Sequence, residues 1–283
     1  MENVPKVILF LESSRQYGRD LIQGIVRYSR LYGPWTFYRE DIFYHQKDRK
    51  KNLAWIKKWG ADGIITRDSL DLDIFLDLEI PIVIASAFLK RSEKIPGIVT
   101  DDSGIGELAC KHFIHRGFKN FAFCGFKDMP WSTSRQESFV SFLKDKGFKT
   151  DVINSSSSRM LHWDKEHPRI IKWLESLPKP VGILCCNDDR GSDLIEACKT
   201  GGFKVPFEVA VLGADNDVQV CELSNPPLSS ISLSTEKAGY QAAEALDKLM
   251  SGKPADTNEI TVIPLEVVKR QSTDSLEIGR AHV

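Results

Sequence analysis

Acidic and amide residues cluster wherever a short apolar run of this chain ends. Val7–Leu11 runs into Glu12-Ser13-Ser14 with Tyr17 and Arg19 just beyond, and Ile98-Val99 into Asp101-Asp102. Ile183–Cys186 ends in Asn187-Asp188-Asp189-Arg190, and Val209–Leu212 leads to Asp215-Asn216-Asp217. The run closing at Gly125 is followed by Trp131 and Arg135, and that beginning at Pro81 by Ser86 and Phe88. Carboxylates and amides meet paired hydroxyl groups, arginine donates in a fixed fork, and an aromatic plane covers an apolar ring face. These residue types suit the binding of a polyhydroxylated ring. Each aspartate taken singly can equally cap the helix it precedes, but several at one edge weaken that simpler reading. Motifs for bond-breaking chemistry are missing: there is no P-loop, no H-E-x-x-H and no G-x-S-x-G.

The elements that must hold these residues alternate in type. Lys6–Leu11, Trp35–Arg39, Gly63–Thr66 and Pro81–Ser86 read as strands, separated by a helix over Tyr17–Leu31 and shorter ones near Leu53–Trp59 and Leu70–Leu78. The rhythm restarts with helices over Ser132–Lys146, Lys165–Leu177 and Asp189–Thr200, and strands over Phe121–Cys124, Lys149–Asn154, Val181–Cys186 and Val209–Gly213. Ser229–Leu233 reads as extended, Thr235–Met250 as a helix and Ile260–Val268 as a last strand. Strands apolar on both faces, alternating with helices, predict an α/β fold of two doubly wound parallel-sheet lobes, and in such sheets ligands sit beyond the strand C-termini.

A chain of 283 residues accommodates about two domains. Its 42% hydrophobic and 27% charged residues are ordinary for a globular protein. The formal net charge of -1 argues against a phosphate-gripping surface within these residues, and Lys47-Asp48-Arg49-Lys50-Lys51 reads as a solvated helix start. Six cysteines without C-x-x-C spacing read as buried thiols, with no metal or cofactor expected. Neither a signal peptide nor a membrane span is legible, so a cytoplasmic location without membrane partners is expected.

The stretch from Val99 to Gly125 carries the sharpest ambiguity. Asp102 or Ser103 is expected to cap a helix that Gly117 ends, followed by a buried strand. Gly104-x-Gly106-x-x-Ala109 matches a relaxed dinucleotide-binding fingerprint, which would imply an NAD-dependent oxidoreductase. Two carboxylates beside a phosphate site, and glycines inside the helix instead of its turn, argue against it. The full spelling Asp101-Asp102-x-x-x-Gly106-x-x-Ala109-x-x-His112-Phe113-x-x-x-Gly117-Phe118 resembles instead the crossover of the LacI/GalR sensor family. Ile183–Asp188, Val211–Asn216, Pro226–Ile231 and Pro264–Arg270 resemble further stretches of that family, over about residues 5 to 273 in all.

The resemblance implies a type I periplasmic-binding-protein-like fold that binds sugar between its lobes. The lobes are expected at 1–103 plus 231–254 and at 117–230 plus 258–272, with a crossover helix at 104–116 and a linker start with tail at 273–283. Arg135 and Asp188 match sugar-hydroxyl positions and Asp101 and Asp215 other pocket-edge positions, while Tyr17, Arg19, Trp131 and Asn216 complete the expected ligand-binding set. Tyr17-x-Arg19, Trp131-Ser132-Thr133 and Arg270–Asp274 are similar to bacterial xylose operon regulators, which join this sensor to a C-terminal AraC-type domain. The implied partners are a small-molecule sugar effector, a second copy in a homodimer, and operator DNA reached through a helix-turn-helix domain beyond these residues. Ligand binding would favour a closed state and pass that shift to DNA. A sugar-binding transport receptor shares the fold, and the unseen signal peptide speaks against it. Glu277–Val283 has a back-translation resembling a short-read sequencing adapter, so these seven residues are expected to pack on nothing.

Overall fold

Runs such as Val181–Cys185 and Val209–Ala214 have no polar face to offer water, so each must lie inside a sheet covered on both sides. A computed structural model of the chain places them so, and describes residues 4–39, 54–67, 77–85, 95–157 and 163–274. The backbone sorts into two units, one comprising residues up to Thr100 with Ser234–Val262, the other Asp101–Leu233 with the segment from Ile263 onward. The first unit opens with β1 (Lys6–Phe10), α1 (Gln16–Tyr32), β2 (Thr36–Arg39), α2 (Ala54–Trp59), β3 (Gly63–Thr66), β4 (Ile82–Ile84) and β5 (Gly97–Thr100). The second contributes α3 (Asp102–His115), β6 (Asn120–Phe126), α4 (Pro130–Asp145), β7 (Thr150–Ser155), α5 (Trp163–Ser176) and β8 (Val181–Cys185). It continues with α6 (Asp188–Thr200), β9 (Val209–Ala214), α7 (Val218–Leu223) and β10 (Ser229–Leu233). The chain returns to the first unit for α8 (Thr235–Met250) and β11 (Glu259–Val262), then to the second for β12 (Pro264–Val268) and a 3-10 turn at Gln271–Thr273.

Each unit holds a six-stranded sheet, ordered β11-β5-β4-β3-β1-β2 in the first and β12-β10-β9-β8-β6-β7 in the second. Among the described residues all pairings are parallel except that of β12 with β10. The α/β class and the doubly wound sheets are therefore those expected, and all six cysteines are buried free thiols. The readings at Lys47–Lys51, Ser86, Phe88 and Glu277–Val283, and all but the last residues of that at Leu70–Leu78, lie outside the described residues.

Two expectations are corrected. Ile260–Val268 is not one strand: β11 pairs with β5 in the first unit, and after Ile263 the chain starts β12 on the other sheet, where Leu233 opposes Pro264. Proline has no N–H to extend the parallel ladder, so the run breaks there. The boundaries 1–103, 231–254 and 258–272 move accordingly, and the helix expected as a crossover at 104–116 belongs wholly to the second unit, the changeover falling between Thr100 and Asp101.

The glycines of Gly104-x-Gly106 sit in the first turns of α3, whose cap is Asp101 and not Asp102 or Ser103, its side chain accepting from the Gly104 N–H at 2.8 Å. A Cβ on Gly106 would lie 2.2 Å from Ser138 Oγ and 2.6 Å from Phe139 N, so the glycine lets α3 and α4 approach. Packing, not pyrophosphate, accounts for it. Gly106→Ala is expected to destabilise by about 1 to 3 kcal/mol through overpacking. A lower urea midpoint at unchanged slope is the measurement, and an unchanged midpoint would refute the packing role.

Candidate functional site

Arg135, one turn into α4, is the hub of the second unit's polar edge and only 4% exposed. Its Nε donates to Asp102 Oδ1 at 3.1 Å, Nη1 to the Cys186 carbonyl at 2.6 Å and Nη2 to Asp215 Oδ1 at 2.9 Å. It thereby ties together the start of α3 and the C-terminal ends of β8 and β9. Burial works against its charge, but the Asp215 and Asp102 carboxylates outweigh that and hold it firmly cationic. Burial raises the Asp102 carboxyl, and Arg135 only partly offsets this. The guanidinium also lies 5.3 Å from the Trp131 ring centroid, and Trp131 meets Phe126 edge-on at 6.3 Å. Fork, carboxylates and aromatic plane thus occupy one place.

The loop after β9 is strained. Asp215 and Asn216 have φ of 96° and 49°, a region side chains avoid, and two such residues in succession persist only where surroundings dictate them. The Asp215 N–H donates to the Ile231 carbonyl at 3.0 Å, the Asn216 N–H to Ser230 Oγ at 3.0 Å, and Asn216 Oδ1 accepts from Arg270 Nη1 at 3.1 Å. Asp188 stands behind this loop, 3% exposed. Its Oδ2 accepts the Asp217 N–H at 2.6 Å and its Oδ1 the Ser230 hydroxyl. A Cβ on Gly213 would lie 2.2 Å from Asp188 Oδ1, so this carboxyl fits only over glycine. Burial, and next the charge of Asp215, push its pKa well above the usual carboxylate range.

Residues 110–273 match the family described as periplasmic binding protein-like domain. The chain belongs to this family. Within it, the chain is a LacI/GalR-like sensor domain. It is 29% identical over 282 residues to the xylose operon regulatory protein of Haemophilus influenzae, an alignment covering 96% of this chain and 71% of that protein. The solved structure of a xylose-binding transcription activator superimposes with a TM-score of 0.81 at 25% identity, over 96% of this chain and 70% of that one. A LacI-type regulator from Alkaliphilus metalliredigens, solved with D-xylulofuranose, shares the fold with a TM-score of 0.74 at 21% identity, over 96% of this chain and all of that one. The similar proteins named here are transcription regulators or their sensor parts, not enzymes.

Set against the expected positions, the sensor brings Trp131, Arg135 and Asp215 together, with Asn216 beside them. Asp101 is a helix cap, while its neighbour Asp102 is the carboxylate that meets Arg135. Asp188 has both oxygens engaged inside the unit, by the Asp217 N–H and the Ser230 hydroxyl. Tyr17 and Arg19 lie in the first unit at the start of α1: the Arg67 guanidinium stands 5.0 Å from the Tyr17 ring, and Arg19 donates to the Ser14 carbonyl at 2.9 Å and to Gln16 Oε1 at 3.0 Å.

Sequence reasoning missed a second polar cluster. Arg190 is fully buried and donates to Ser155 Oγ at 2.7 Å, Glu166 Oε1 at 2.8 Å and Asp193 Oδ2 at 2.8 Å. Burial pushes Glu166 up, but bonds from Arg169, Ser155 and Arg190 outweigh it and hold the carboxyl at about 2. One signal was available: Glu166 occupies the apolar stripe of α5, in i, i+4 register with Ile170 and Leu174, where a lone acid demands a buried partner.

Proposed function

We propose that this sensor binds a sugar, with a xylose-like pentose as the favoured effector, at the polar edge of the second unit, and does no chemistry on it. The observation that carries the reading is the Arg135 fork held between Asp102 and Asp215 beside the Trp131 ring. That combination suits a pyranose: the guanidinium donates to hydroxyl groups, the carboxylate accepts from them and the aromatic plane covers the apolar ring face. Asp215, with its side chain 23% exposed, offers the carboxylate that buried Asp188 does not. The first unit offers Tyr17 and Arg19 at the edge of its own sheet. The names of the similar xylose regulators support the choice of sugar.

We further assign the sensor to a homodimeric, cytoplasmic transcription regulator whose operator contacts are made by a helix-turn-helix domain outside these residues. Its sensor end would be read through Arg270, which joins Asn216 Oδ1 at 3.1 Å and the Leu228 carbonyl at 3.1 Å. The turn that follows is anchored to α3: Thr273 Oγ1 meets His112 Nε2 at 3.0 Å, and Arg116 Nε donates to the Thr273 carbonyl at 3.0 Å. Burial holds the His112 pKa down at about 3, so this ring is neutral and the anchor does not titrate near neutrality. A loop that touches ligand is thus bonded to the segment on which the chain leaves the sensor. Among the described residues no helix is long and apolar enough to cross a membrane.

A thermal-shift screen with D-xylose, L-arabinose, D-ribose, D-glucose and NAD tests the reading. A ligand confined to the native state stabilises it by about 2.7 kcal/mol at a hundred times its Kd. A shift with one pentose and none with NAD is expected. No shift with any sugar, or one with NAD, would overturn it.

A further inference from the structure

The second buried cluster reaches the proposed sugar site through two aromatic rings. Arg190 is the third residue of α6, its backbone N–H bonded to the capping Asn187 Oδ1 at 3.0 Å. Three side-chain oxygens hold its terminal nitrogens, yet its buried Nε has no hydrogen-bond partner. The guanidinium stands 5.4 Å from the centroid of Phe126, the last residue of β6. Phe126 meets Trp131 at 78°, and Trp131 faces Arg135. Two cations therefore bracket two rings, one cation at the site and the other fully buried in the ion cluster.

Stability alone does not require such an arginine. A buried ion pair replaced whole by apolar side chains of similar size is often neutral or stabilising, and an unpaired Nε weakens the case for retaining the charge further. Attraction between a cation and a ring face does fix the plane of the ring. We propose that Arg190 is a positioning residue for the sugar site: held by Ser155, Glu166 and Asp193, it sets Phe126, and Phe126 sets the plane of Trp131 against which the sugar ring packs. The proposal rests on the sugar-site reading for its functional half only.

The test uses the full chain with Arg190→Met and Glu166→Gln combined, so that the two most deeply buried charges go together, while Asp193, its side chain 17% exposed, keeps its contact with His167 Nε2 at 2.8 Å. The urea midpoint is expected to match or exceed that of the parent, while D-xylose affinity by calorimetry falls about tenfold or more. In a Trp131→Ala background the same pair of changes should cost no further affinity, since residues acting through one another are not additive. Phe126→Leu, which leaves the ion cluster intact, should reproduce the loss and serves if the double variant fails to fold. Equal losses with and without Trp131 would overturn the proposal. A ligand-free arm separates it from the parent reading: with 5-fluorotryptophan, the 19F resonance missing in Trp131→Phe should move in the double variant. If it moves while no sugar binds the parent, the positioning stands and the sugar reading falls. An unmoved resonance refutes the positioning whatever binds.

Discussion

Arg135→Met is expected to abolish sugar binding and to destabilise the second unit by about 3 to 5 kcal/mol at neutral pH, the range for removing one partner of a buried pair. The magnitude follows from what remains. Asp102 and Asp215, with side chains 14% and 23% exposed, would face one another with the cation between them gone, and the Cys186 carbonyl would lose its donor. The loss should depend on pH with a definite sign. Without Arg135 the Asp102 carboxyl, already raised by burial, loses the cation that partly offsets this and is protonated more readily in the folded state than in the unfolded chain, so its ionisation lowers stability as pH rises. The deficit of the variant is therefore largest at neutral pH and shrinks towards acid. Arg135→Lys separates charge from shape, since an ammonium cannot serve three divergent acceptors in one plane. It should keep much of the stability but lose at least tenfold in sugar affinity. Parent-like binding by Arg135→Met would refute the site.

Legibility in the sequence followed the strength of the physical signal. Strands buried on both faces, such as Val181–Cys185, and helices with well-marked ends, such as Thr235–Met250, were readable because apolar period and terminators agree there. The split of Ile260–Val268 between two sheets was only half legible: Pro264 marks the break, but which sheet each half joins depends on the non-local partner strands. The same limit governs the site. Polar residues after strand ends located the edge, but Asp101, Asp102, Asp188, Asp215 and Asp217 look alike in sequence. Which one caps, which pairs with Arg135 and which is buried depends on partners such as Ser230 and Arg135, far away in the chain. The Arg190 cluster was hidden for a related reason: its members come from β7, α5 and α6, far apart in the chain, and only the position of Glu166 on the apolar stripe of α5 betrays it.

Asp188→Asn is expected to remove a slope from the stability profile instead of removing a ligand. The folded-state pKa of Asp188 lies above the unfolded value of 3.8 because burial, and then Asp215, disfavour its charge. From that value upward the native protein retains a proton that the unfolded chain has released, so stability falls as pH rises until the folded carboxyl ionises. Each pH unit by which the folded value exceeds the unfolded one appears as about 1.4 kcal/mol. Asparagine cannot ionise, yet it supplies what the site uses: its oxygen can accept the Asp217 N–H, and its amide can donate to Ser230 Oγ, whose hydrogen is free to turn. The variant should match the parent near the unfolded carboxyl value, about pH 4, and exceed it progressively towards alkaline pH. Asp102, raised in the same direction, contributes equally to both proteins and cancels in the difference. Sugar affinity should be nearly unchanged, because both Asp188 oxygens are already engaged within the unit. Asp188→Leu, by contrast, strands the Asp217 N–H and the Ser230 hydroxyl at about 1 to 3 kcal/mol each. Urea titrations of parent and Asp188→Asn across pH decide the matter: parallel profiles would show that Asp188 is ionised in the fold, and a large loss of affinity would return it to the ligand.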